Sequence, residues 1–144
     1  GDRNAIWSSL EDVFARAART SEHVVMSAQV SHGCPGETLC EPDPRTGTAQ
    51  APLERSGAGL RVSCQWSLYP LGVPDYMQII YREIGRTREA GVFRGGAHFV
   101  SRLDGELPAV LGAVRRSFDE TCASAGHVVA HFTLSANSPT GRDA

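Results

Sequence analysis

No apolar run in this chain approaches the roughly 20 residues that a membrane-spanning helix needs, and no secretory-leader pattern opens it. The sequence therefore predicts a cytoplasmic protein without membrane insertion. A basic excess is missing as well. Against 16 acidic residues there are 14 basic ones, leaving a formal charge of −2. That sign is wrong for a surface built to neutralise phosphates, so nucleic acid is not an expected partner. Catalytic signatures are lacking too: there is no Gly-x-Ser-x-Gly elbow, no Gly-rich phosphate loop and no His-Glu-x-x-His. A scattered Ser, His and Asp can always be assembled into a hydrolase on paper, but nothing here fixes one. The expectation is a non-enzyme without a cofactor. Cysteine is scarce, with Cys34, Cys40, Cys64 and Cys122 making the full set. Cys64 lies on an apolar strand face and Cys122 on a helix stripe, so both read as small core residues. The spacing of Cys34 and Cys40 is unlike a zinc knuckle and leaves a disulfide or free thiols open.

What the chain does contain is a repeat. Residues 1–36 shifted forward by 104 put Gly1 on Gly105, Ala5 on Ala109 and Phe14 on Phe118. His23-Val24-Val25 falls on His127-Val128-Val129, Ser31 on Ser135 and Pro35 on Pro139. The eight identities keep one register without a gap and share hydrophobic phase. Residues 60–104 have no counterpart before the first copy. The chain reads as one complete unit preceded by the closing part of another, an arrangement that predicts a pseudo-twofold assembly.

Periodicity supplies the elements. Residues 3–19 place Ile6, Leu10, Val13, Phe14 and Ala17 on one helical face. A strand from His23 to Ser31 follows. The Pro/Gly-rich stretch 33–59 has no period and reads as a linker. Leu60 to Tyr69 alternates as a strand, with Leu60, Val62, Cys64, Trp66 and Leu68 on its apolar side. Pro70-Leu71-Gly72 is read as a turn. Pro74 and Asp75 suit the start of a helix whose stripe is Met77, Ile80, Tyr81 and Ile84, with Gly91 as its stop. Gly95-Gly96 reads as the turn of a hairpin between Val92-Phe93-Arg94 and Ala97 to Leu103. A second helix carries Leu107, Val110, Leu111, Val114, Phe118 and Cys122, and His127 to Ala136 is the last strand.

The predicted order from residue 60 is β-α-β-β-α-β. This is an α+β ferredoxin-like sandwich with strand order 4-1-3-2. The boundaries are a closing α-β fragment at 1–32, the linker at 33–59, the complete unit at 60–139 and a tail at 140–144. A lone helix-strand fragment cannot bury its stripe, and its strand is expected to lack neighbours. Two helices cover one sheet face. The other is expected to carry Ser63, Gln65, Ser67, Tyr69, His98, Val100, His131, Thr133 and Ser135. It is polar with islands of bulk, which suits pairing with another sheet around a small polar ligand.

Ser67-Leu68-Tyr69-Pro70-Leu71-Gly72, Gly91-Val92-Phe93, Ala97-His98-Phe99-Val100 and Leu103-Asp104-Gly105 resemble the YkoF family of thiamine/hydroxymethylpyrimidine-binding proteins. Val30-Ser31-His32-Gly33-Cys34-Pro35-Gly36 is similar to that family's first repeat. The resemblance implies two ferredoxin-like repeats, a homodimer, and binding of thiamine or its pyrimidine precursor without turnover. It also implies vitamin uptake with ABC-type transporter components. One departure is large, for the first repeat lacks its β-α-β-β portion here.

A thiamine site needs aromatic faces and paired donors and acceptors for the pyrimidine edge. Tyr69 and Phe93 could supply faces, and Gln65, Ser67, Ser135 and Asn137 neutral hydrogen bonds. His98 or His131 could supply a tunable one. The bland reading makes Tyr69 an interface tyrosine, Phe93 a hydrophobic plug and the two histidines interface hydrogen-bonders. The first strand of the unit stands between those histidines and no carboxylate neighbours them, so a metal site is not expected. An RNA-binding reading of the same fold needs stacking rings where this face has Ser and His. The competing function is an ACT-like regulatory module that binds another small effector and signals through oligomer state.

Overall fold

A computed structural model of the chain describes residues 3–34 and 57–139. Its elements are α1 (Arg3–Ala18), β1 (Val24–His32), β2 (Arg61–Leu71), α2 (Tyr76–Glu89), β3 (Phe93–Ala97), β4 (Val100–Glu106), α3 (Leu107–Cys122) and β5 (His127–Ala136). Most of the predicted linker, with Cys40, and the predicted tail lie outside the described residues.

The strands form one sheet in the order β1-β5-β2-β4-β3, antiparallel throughout. Read from β2, the order β5-β2-β4-β3 is the 4-1-3-2 order expected of a ferredoxin-like unit, and the chain has that α+β fold. Strand alternation builds it. β2 buries Val62, Cys64, Trp66 and Leu68 under the helices, and β5 buries Val128, Ala130, Phe132, Leu134 and Ala136. α3 answers with Leu107, Val110, Leu111, Val114 and Phe118, as its period predicts, and carries Pro108 in its first turn.

The opening fragment corrects one expectation. β1 does not lack neighbours, because it pairs along its whole length with β5 of the same chain, from Val24↔Ala136 to His32↔Val128. The pair Ala28↔Phe132 is the centre of that register, and 28 + 104 = 132, so the two strands are related by a local twofold through positions the repeat makes equivalent. The bounds of α1, moved by 104, are those of α3. Gly33 and Asn137, also 104 apart, both have positive φ, at 71° and 57°.

The buried face of α1 differs from the predicted one. Ile6 and Val13 are 46% and 62% exposed, whereas Trp7, Phe14, Ala15 and Ala18 are buried. The indole decides the rotation of the helix. Trp7 stacks on Phe132 at 5.8 Å between ring centres and meets Phe118 edge-on at 6.2 Å. Burying that ring outweighs leaving two aliphatic side chains wet.

The hairpin is also displaced. Ala97 pairs with Val100, so His98-Phe99 is the two-residue turn and Gly95-Gly96 belongs to β3. His98 takes the positive φ (55°) that such turns require. β2 runs on through Pro70 and Leu71 instead of turning there. Its pairing with β4 ends at Trp66, while its pairing with β5 continues to Leu71. Proline, which cannot donate, is tolerated where a strand has lost one neighbour.

Candidate functional site

That one-sided stretch of β2 floors a cavity. From Ser67 to Leu71 the strand has a partner only on the β5 side. α2 rises on one flank and the β3–β4 hairpin on the other. Between them lies an open groove of about 770 Å³, within the range of small-molecule sites.

α2 reaches this position by facing two ways. Its buried side is Ile79, Glu83 and Thr87. The predicted stripe of Met77, Ile80, Tyr81 and Ile84 lines the groove with Tyr76 and Arg88, and Ile84 also packs against the core. Tyr81 remains 65% exposed. This placement has a physical cause in Glu83. Its carboxylate is fully buried and takes Arg82 Nε at 2.9 Å and Arg86 Nη1 at 3.5 Å. Once that ion pair and the Thr87 hydroxyl, which donates to the Ile84 carbonyl, set the inward face, the apolar stripe is turned sideways over the sheet edge.

The hairpin wall is fixed from β2. Ser67 Oγ donates to the Phe99 carbonyl oxygen at 2.8 Å and pins the turn. Gly96 lines the groove, and a Cβ there would meet only the Val100 carbonyl oxygen, at 3.8 Å. The missing side chain leaves space in the cavity. Phe93 lies at the start of β3 with the Arg88 guanidinium 4.6 Å from its ring centre, a cation–π contact.

Two polar features of the lining stand out. Trp66 is buried, and its Nε1–H has no hydrogen-bond partner among the described residues, a deficit of about 1–3 kcal/mol. Arg88 is the only Arg, Asp or Glu among the lining residues. Arg86, two residues before it, is engaged by Glu120 and Glu83, which raise its pKa above the ordinary arginine value.

Of the residues the sequence singled out, Ser67, Tyr69, Phe93 and His98 come together in the groove. His98 does so from the turn, not from the open sheet face. Gln65, His131, Ser135 and Asn137 are elsewhere. Gln65 faces Thr133 and Arg102 across the sheet. His131 Nε2 and Ser27 Oγ share a hydrogen bond of 2.9 Å, as do Ser135 Oγ and His23 Nε2 at 3.1 Å. Asn137 Nδ2 donates to the carbonyls of Ala18 and Glu22, both at 2.9 Å, and ties β5 to the α1–β1 connection. Sequence reasoning missed Trp66, Tyr76, Arg88 and the α2 stripe as lining. The alternation that put Trp66 in the core was correct, and only the early end of β4 opens a cavity beside it.

Among the described residues no cluster of His, Cys, Asp or Glu could hold a metal ion. No helix there is long and apolar enough to cross a membrane.

The family model described as "YKOF-related Family" matches residues 1–37 and 61–141. A curated Bacillus subtilis (strain 168) protein, described as "Putative HMP/thiamine-binding protein YkoF", is 30% identical over 150 residues, covering 99% of this chain and 72% of the relative. A solved structure titled "Structure of domain of unknown function DUF77 from Bacillus cereus" superposes with a TM-score of 0.45 at 25% identity, over 52% of this chain and 74% of that one.

Proposed function

The chain belongs to the YkoF-related family, and from that premise we propose that it binds thiamine or its hydroxymethylpyrimidine precursor, without turnover, in the groove between α2 and the β3–β4 hairpin. The observation that carries this is convergence. Ser67, Tyr69, Phe93 and His98, chosen from the sequence as partners for such a ligand, line one cavity of small-molecule size. Tyr69, Tyr76 and Tyr81 add faces for a flat heterocycle.

The wider role follows as part of the same proposal. The protein supports vitamin uptake or salvage in the cytoplasm, hands its ligand to components of an ABC-type transporter, and works as a homodimer through the polar open face of the sheet. That face presents hydrogen-bonded pairs such as Ser27–His131 and His23–Ser135 rather than a greasy surface.

Isothermal titration calorimetry of thiamine and of hydroxymethylpyrimidine into the folded chain tests the reading. Saturable heat that Tyr69→Ala weakens by about tenfold, the worth of one lost aromatic contact, supports it. A folded sample that gives no heat with either compound removes it. Size-exclusion with and without ligand separates a carrier, whose elution stays constant, from a regulatory module, whose elution shifts.

A further inference from the structure

The charge lining the groove carries the reading further than the family does. Arg88 is the groove's one Arg, Asp or Glu, and Asp75, Glu83 and Glu89, the carboxylates nearest to it in sequence, are not among the lining residues. Arg82 and Arg86 are committed to Glu83 and Glu120. Arg88 has no carboxylate partner among the described residues, and its guanidinium rests on the Phe93 ring. Its positive charge favours an anionic group placed beside it. A cavity lined by a guanidinium and by no carboxylate suits an anionic group.

We propose that Arg88 makes this groove selective for the phosphate monoester of the aminopyrimidine ligand, carried by hydroxymethylpyrimidine phosphate or thiamine monophosphate, over the unphosphorylated compounds. The inference rests on the pyrimidine-binding reading. Guanidinium and phosphate match in geometry, two N–H donors meeting two oxygens, so the preference belongs to arginine more than to lysine.

Calorimetry with four compounds tests it: hydroxymethylpyrimidine, its phosphate, thiamine and thiamine monophosphate. In the native protein each ester binds about tenfold or more tighter than its alcohol, the scale of one charge-assisted contact at a partly exposed site. The advantage shrinks as salt rises. Arg88→Met keeps an aliphatic chain over Phe93 but brings each ester to within about twofold of its own alcohol. Arg88→Lys restores part of the preference. Because Arg88 is exposed, both variants are expected to keep the native melting temperature, and Arg88→Lys alone carries the comparison if Arg88→Met unfolds. Esters that bind no better than alcohols, or an advantage that survives Arg88→Met, overturn the phosphate inference while pyrimidine binding stands. A folded protein that binds none of the four removes both. Whether one ester or both gain shows which source of phosphate the groove admits.

Discussion

Cys64 shows how burial sets chemistry at a single residue. It sits on the helix side of β2, 1% exposed, and its thiol is pushed up to about 12, first by burial and then by the nearby Asp104 charge. A pKa raised above the unfolded value adds stability that is complete below pH ~9 and is lost as pH climbs towards ~12, because only the unfolded chain ionises the thiol freely. Native protein at pH 8 should leave Cys64 unalkylated by iodoacetamide while the half-buried Cys34 reacts. Cys64→Ala should flatten the alkaline limb of a melting-temperature profile between pH 9 and 11. An equally steep limb in the variant would assign the loss to other groups. The same single-residue logic explains which site residues were legible. Ser67 and Tyr69 follow from strand alternation and a strand end, and Phe93 from its place at the opening of a hairpin. Arg88 carried no such mark. An arginine near a helix end reads as a solvated charge favoured by the helix dipole, and only the fold lays it over Phe93.

At the scale of elements, α2 and the hairpin have the order the sequence predicts, but the turn and most of the buried face of α2 fall elsewhere. Met77, Ile80, Tyr81 and Ile84 have a clean helical period, so they look like a core stripe. Period alone cannot say whether such a stripe meets a sheet or a cavity. Glu83 and Thr87 held the missing information, since their burial turns the stripe aside. For β3, the Gly95-Gly96 pair is the strongest short-range hairpin signal in the region, yet the turn falls two residues later, at His98-Phe99. Gly96 lines the groove instead of turning the chain. No positive φ belongs to either glycine, and a Cβ on Gly96 has room. Gly96→Val is therefore expected to hold or raise the melting temperature, because a β-branched residue suits a strand better than glycine by up to ~1 kcal/mol. The same side chain intrudes on the groove and should weaken pyrimidine binding about tenfold or more, roughly the cost of overpacking a small site. Unchanged affinity in a stable Gly96→Val protein would place the ligand away from the hairpin wall.

For the whole molecule, the 104-residue shift was readable and its consequence was not. Two strands with the same alternation carry no statement that they will pair with each other, so the opening fragment looked stranded. In the fold it is docked by its own chain, with β1 on β5 about the Ala28↔Phe132 centre. The dependence shows in the backbone at both ends of that pair. A Cβ on Gly33 would fall 1.8 Å from the Gly126 carbonyl oxygen, and its equivalent Asn137 donates to the carbonyl of Glu22, the position equivalent to Gly126. What welds the fragment to the unit is chiefly Trp7, which is 4% exposed between Phe118 and Phe132. The groove is built from β2, α2 and the hairpin, and none of its lining comes from α1 or β1. Stability and binding are therefore carried by different parts of the molecule. Trp7→Ala is expected to lower unfolding stability by about 3–5 kcal/mol, the usual cost of emptying a buried aromatic site. Measured in urea, the midpoint should drop while native-state affinity for hydroxymethylpyrimidine stays within about threefold of normal, because Trp7 does not line the groove. A loss of affinity equal in size to the loss of stability, in protein still folded by circular dichroism, would mean that the docked fragment shapes the groove after all.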